Sequence, residues 1–210
     1  MKTLKTLLLT LATLCMGTLA FAQTPEEILD KMDEAMAASE TKGLYMVVDL
    51  KIPLIGTTPT TFYMLGEKCR METKILKTRL IEWSDGKTNW EYDGSKNEIT
   101  ITNEDPSTPS DAEENVEMFD GIRDGYDVEI QKETPQEWYL RCKKSKDNSD
   151  EDSPKKMDLV VSKATYMPVS LKTTVSGITV TIHDMRLGVS EKDVTFRIED
   201  FPGAKVVDKR

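Results

Sequence analysis

Histidine, cysteine and basic residues are the scarce types in this 210-residue chain, and each scarcity removes a class of function. There is one histidine, His183, and there are three cysteines, Cys15, Cys69 and Cys142. A zinc centre would then need carboxylates for most of its ligands, which zinc does not favour, so no metal is expected. His183 lies in the alternating run Ile178–Met185, on the face of Thr179 and Thr181 and opposite Ile178, Val180 and Ile182. That is the position of a solvated strand histidine rather than a catalytic base. No Gly-rich phosphate loop and no nucleophile elbow occurs. The carboxylates gather in loops, as solvated charge does. The chain reads as a non-enzyme with no catalytic residue and no cofactor.

Basic residues number 28 against 37 acidic ones, a net charge of −9. This balance excludes nucleic acid, where basic side chains supply most of the affinity. By the same electrostatics it argues against lying on anionic lipid heads. Nor is there an apolar run of about 20 residues, the length a spanning helix needs.

What the chain does have begins with an export signal. Lys2 and Lys5 precede an apolar centre, Leu7 to Leu14, and Ala20-Phe21-Ala22 supplies a small-x-small site before Gln23. Residues 1–22 are read as a signal peptide cleaved after Ala22, leaving one domain over 23–210. The rival, a lipoprotein signal at Cys15, is disfavoured by the bulky Leu14 before it. Losing Lys2 and Lys5 leaves 26 basic against 37 acidic residues, a net charge of −11. Cys69 and Cys142 remain, in a compartment that tolerates disulfides. They are either bridged or two buried thiols acting as small hydrophobes.

Thr24-Pro25-Glu26-Glu27 is a helix start, with Thr24 as cap and Glu27 completing a capping box. Ile28, Leu29, Met32, Ala35 and Met36 form one stripe, and Gly43 marks the end. From Leu44 the period becomes two, with Leu44, Met46, Val48, Leu50 and Ile52 on one face. A turn rich in Pro, Gly and Thr follows over 53–60. Strands are then expected over 62–72, 79–83, 88–92 and 98–102, with Asp85-Gly86 and Asp93-Gly94 as hairpin signals. An acidic stretch, Asp111 to Asp120, reads as a short helix in which Val116 and Phe119, with Ile122 beyond, recur at helical spacing. Strands resume over 126–131, 137–143, 157–162, 167–175, 178–185 and 194–198, with a polar tip over 144–156. Short consecutive strands favour an antiparallel meander.

Three segments carry a resemblance. SDGKTNWEYD (84–93) resembles the strand–turn–strand segment of the LolA family of periplasmic lipoprotein carriers, where an Asp-Gly-Lys-Thr turn precedes a Trp-x-Tyr strand. KCRMET (68–73) resembles the preceding family segment, and FPGAKVVDKR (201–210) its closing Pro-Gly segment. The resemblance implies a mainly β fold with a few helices. It would be a strongly curved antiparallel sheet, an incomplete and half-open β-barrel, covered by an N-terminal helix and a mid-chain helical lid. It implies a periplasmic carrier that binds the acyl chains of lipoproteins and shuttles them from inner to outer membrane. The implied partners are acylated lipoproteins, an inner-membrane ABC transporter and an outer-membrane acceptor, with the chain itself a monomer. Strand phase then places the cavity at Met46, Val48, Leu50, Leu65, Cys69, Met71, Trp90, Tyr92, Trp138 and Leu140, and the lid at Val116, Phe119 and Ile122. The family's arginine that ties sheet to lid falls here at Leu65 or Gly66, and Arg70 matches a different family position. Other readings of such a fold are a lipid- or peptide-sensing regulatory module and an outer-membrane lipoprotein acceptor.

Overall fold

The computed structural model describes residues 23–104, 119, 121–151 and 153–210. The signal peptide, Val116 and most of the expected helix 111–120 lie outside the described residues.

Helix α1, Pro25–Ala37, starts as its sequence dictates: the Thr24 hydroxyl accepts from the Glu27 amide, and the Glu27 carboxylate accepts from the Thr24 amide. A single further turn, α2 (Ser39–Lys42), ends at Gly43. Only glycine suits that position. Its φ is +71°, and a Cβ there would stand 2.6 Å from the Met64 carbonyl and 2.7 Å from Val189.

The strands of the described chain form one twelve-stranded sheet. Its strands are β1 (Leu44–Ile52), β2 (Gly56–Leu65), β3 (Lys68–Ile75), β4 (Thr78–Ser84), β5 (Thr88–Asp93), β6 (Glu98–Asn103), β7 (Tyr126–Glu133), β8 (Glu137–Lys144), β9 (Lys156–Ser162), β10 (Pro168–Val175), β11 (Ile178–Leu187) and β12 (Lys205–Asp208). They lie in the order β12-β6-β5-β4-β3-β2-β1-β11-β10-β9-β8-β7, so β12 and β7 are its two ends and no barrel closes. All pairings are antiparallel except β12 with β6, which is parallel.

Three differences from the sequence reading have local causes. The expected strand 62–72 is a hairpin, β2–β3, turned at Gly66-Glu67, with Gly66 at φ +58°. Residues 56–60, expected as turn, extend β2 because β1 offers them a full ladder of partners. The expected strand 194–198 is instead the end of a one-turn helix, α4 (Glu191–Val194), capped by Ser190 and Asp193, followed by the 3₁₀ turn Ile198–Asp200. The one-turn helix α3, Ile122–Gly125, leads into β7.

Register sorts every side chain onto one of two faces. The inner face holds the row Val48–Ile182–Leu171–Leu159–Leu140–Ile130, six strands across. Beside it runs Leu50–Val180–Thr173–Met157–Cys142–Val128. A third row, Met46–Phe62–Met71, reaches β3 and then turns polar at Glu82, Glu91 and Thr100. The outer face is apolar on the opposite half of the sheet. There Tyr45–Tyr63–Arg70–Trp83–Trp90–Ile101 forms one cross-strand row, with Ile81, Tyr92 and Ile99 alongside.

Candidate functional site

The candidate site is the inner face beneath α1. Ile28, Leu29, Met32 and Met36 of the helix are buried against Met46, Val48, Leu140, Leu159, Leu171 and Ile182, with Phe119 and Ile122 in the same cluster. Thr60 and Thr173 are the buried polar exceptions, and the Thr173 hydroxyl donates to the Lys156 carbonyl at 2.8 Å. Leu50, Met64, Cys69, Met71, Val180 and Met185 form a half-buried apolar margin around this core.

Among the described residues the cover, α1 with Phe119 and Ile122, is small compared with what it covers. Burying four such side chains stabilises by roughly 6–12 kcal/mol at ~1.5–3 kcal/mol each. An acyl chain of ~14 methylenes gains about 11 kcal/mol at ~0.8 kcal/mol per CH₂. The two are of one order, so a hydrocarbon chain can compete with α1 for the same surface.

Polar ties hold α1 at two places. Arg123 of α3 pairs with Asp30 at 2.8 Å and also with Asp33. Elsewhere Lys31 and, just before the helix, Gln23 each donate to the Tyr166 hydroxyl, at 3.3 and 3.2 Å. Tyr166 in turn stacks on Trp138, with centroids 5.4 Å apart. These ties are exposed or half-exposed, where ion pairs contribute about 0–1 kcal/mol. They orient the helix more than they hold it.

Of the expected cavity residues, Met46, Val48, Leu50, Cys69, Met71, Trp138 and Leu140 share the inner face, as do Phe119 and Ile122 of the expected lid. Leu65, Trp90 and Tyr92 do not. Leu65 pairs with Lys68, two positions along from the Tyr63–Arg70 pair, which puts it on the outer face. Trp90 pairs with Trp83 and Tyr92 with Ile81, also on the outer face. There the segment after β11 covers them. Trp90 stacks on Phe196 at 5.4 Å, Trp83 meets Phe196 and Phe201 edge-on, and Tyr92 lies 4.5 Å from Phe201. This is a second core and no part of the inner surface.

Cys69 and Cys142 are both thiols and are not bridged, which corrects that alternative. Cys69 is on β3 and Cys142 on β8, with five strands between them in the sheet. Burial pushes the Cys142 thiol up to about 12, with Asp158 adding to the rise. Such a thiol is inert at neutral pH. Arg70 is likewise on the outer face, over Tyr63 and Trp83 and paired with Glu72. It is no tie to the cover. Arg123, which sequence reasoning misses, has that place. Its only signal in the sequence is a lone cation between acidic stretches.

His183 is outer-facing, 3.3 Å from Asp49 and 3.2 Å from Asp184. Asp184, at φ +53°, is the extra residue of a bulge that shifts the β1–β11 register. Among the described residues no group of His, Cys, Asp or Glu is arranged to hold a metal. No described helix is long and apolar enough to cross a membrane.

No family model matches the chain. No curated protein matches it either. Solved structures do resemble it. An uncharacterized conserved protein from Thermus thermophilus is 15% identical with a TM-score of 0.46, covering 89% of this chain and 100% of that one. MucB is 9% identical with a TM-score of 0.47, covering 87% of this chain and 66% of its own, and is also solved from Pseudomonas aeruginosa with MucA. A LolA superfamily protein from Nitrosomonas europaea is 12% identical with a TM-score of 0.32, covering 83% and 99%. These are distant likenesses of fold.

Proposed function

We propose that the protein is a periplasmic carrier, exported by residues 1–22, whose domain over 23–210 binds the acyl chains of lipoproteins between α1 and the inner face. One observation carries this reading: among the described residues an apolar surface six strands wide is covered mainly by one thirteen-residue helix rather than by a second sheet. Cargo displaces the helix stripe from the margin of Leu50, Met64, Cys69 and Met71 inward, and the helix returns when cargo leaves. Such a carrier receives its cargo from an inner-membrane ABC transporter and gives it to an outer-membrane acceptor. Its work is burial and release of hydrocarbon, with no bond made or broken.

The test is titration with a fluorescent C16 acyl probe. The protein is expected to bind it, and Met71→Asp to weaken binding about tenfold or more, since a charge would then stand in the path of the chain. Trp90→Ala is the counterpart. It is expected to lower stability by about 2 kcal/mol, less than a fully buried Trp, and to leave probe affinity unchanged. No binding by the unaltered protein, or an equal loss of affinity in both variants, would count against the reading.

A further inference from the structure

Antiparallel pairing brings three hairpin turns to one end of the sheet: β1–β2 at Pro53-Leu54-Ile55, β3–β4 at Leu76-Lys77, and β10–β11 at Ser176-Gly177. They are neighbours there, because β3, β2, β1, β11 and β10 lie side by side. Their tips are apolar where solvent would favour polar residues. Leu54 is fully exposed and Leu76 is 91% exposed, with Ile55, Ile75 and Val175 also exposed.

Backbone conformation makes these leucines harder to explain as ordinary turn residues. Leu54 has φ +66° and Leu76 φ +58°. A bulky side chain is disfavoured in the left-handed region, and glycine or asparagine is the usual occupant of such a turn position. Folding alone would be served better by glycine at both places. Two strained, solvated leucines on adjacent tips mark a surface that meets something apolar.

The charge around the tips says what that is. Lys51, Lys74 and Lys77 are exposed beside them, and no ion pair among the described residues involves these three. No acidic residue occurs over 50–66, 73–81 or 159–183, in a chain with 37 of them. The neighbouring connections bound the patch: Asp93 ends β5 at the β5–β6 turn, and Asp147 and Glu151 stand in the β8–β9 loop. Apolar tips ringed by unpaired lysines, without a carboxylate, match a bilayer surface with anionic head groups. The whole-chain charge, which argued against anionic lipid, conceals this segregation.

We infer that this end of the sheet is a membrane-docking edge, on which Leu54, Ile55 and Leu76 enter the interface of an anionic phospholipid bilayer while Lys51, Lys74 and Lys77 face its head groups. Docking goes beyond acyl binding and does not depend on it. It would set the protein on a membrane without anchoring it.

The experiment is co-sedimentation of the full chain, purified from its own cells, with vesicles of phosphatidylethanolamine and phosphatidylglycerol or of phosphatidylcholine alone. Binding is expected to the anionic vesicles and to weaken with salt. Leu54→Gly with Leu76→Gly is expected to raise or maintain thermal stability, since it relieves both turns, while vesicle binding falls about tenfold or more. Lys51→Gln, Lys74→Gln and Lys77→Gln together are expected to lose about tenfold or more on anionic vesicles. Acyl-probe affinity should be unchanged in both sets, which separates this proposal from the carrier reading. Absence of vesicle binding, equal binding to phosphatidylcholine, or undiminished binding by the double glycine variant overturns it. So does a finding that the tips instead join two copies of the chain or hold another protein.

Discussion

Glu72 stands half-buried on the outer face between two guanidinium groups. Burial pushes its carboxyl up, but hydrogen bonds and charge from Arg79 and Arg70 outweigh this and hold it below its ordinary value of 4.5. Arg79 grips both oxygens, at 2.7 and 3.2 Å. A carboxyl more acidic in the folded state stabilises the fold above its unfolded value and stops doing so as pH falls through the folded one. Thermal stability is therefore expected to decline as pH drops below about 4.5, and Glu72→Gln to flatten that part of the profile. A melting series from pH 7 to pH 3 on both proteins checks this. An identical decline in the variant would remove Glu72 from the account. Residue-level reading of the sequence could not reach this cluster, because it depends on Glu72 and Arg79 meeting across the β3–β4 hairpin.

At the scale of elements, α1 is the part most fully legible. Its cap, its capping box and its stripe of Ile28, Leu29, Met32 and Met36 are all where the residue pattern puts them. Most strands are legible too, since period-two alternation survives in each. What alternation leaves open is which side of the sheet a strand's apolar face takes. Trp90 and Tyr92 are an apolar face, but of the outer side. The signal was in the turns: register counted through Gly66-Glu67, Leu76-Lys77 and Asp85-Gly86-Lys87 fixes Arg70 opposite Tyr63, Trp83 opposite Arg70 and Trp90 opposite Trp83. Two strand errors have the same origin in pairing. β12 exists because β6 offers it a parallel edge, and 194–198 is not a strand because it crosses the outer face instead. The tie from α3 to α1 yields the prediction at this scale. Arg123→Ala removes two exposed pairs, to Asp30 and Asp33, so stability is expected to fall by no more than about 2 kcal/mol. Acyl-probe affinity is expected to rise a few-fold, because the empty, closed form loses a contact that the open form does not make. Thermal melting measures the first and probe titration the second. Weaker probe binding in the variant would mean that Arg123 serves the bound form instead.

At the scale of the molecule, the sheet carries two apolar surfaces on opposite faces and opposite halves. The C-terminal segment fills one with Phe196 and Phe201. Among the described residues the other is covered by one short helix together with Phe119 and Ile122. The division explains how a chain with a modest apolar fraction presents a broad greasy surface: the aromatic residues that looked like pocket lining hold the far half of the sheet together. The most direct measurement places a photoreactive side chain at Met71 on the inner face or at Tyr92 on the outer one, and exposes each protein to lipid-modified protein. The account predicts crosslinks to the acyl moiety from position 71 and none above background from position 92. Crosslinks from neither position, or equally from both, would contradict it.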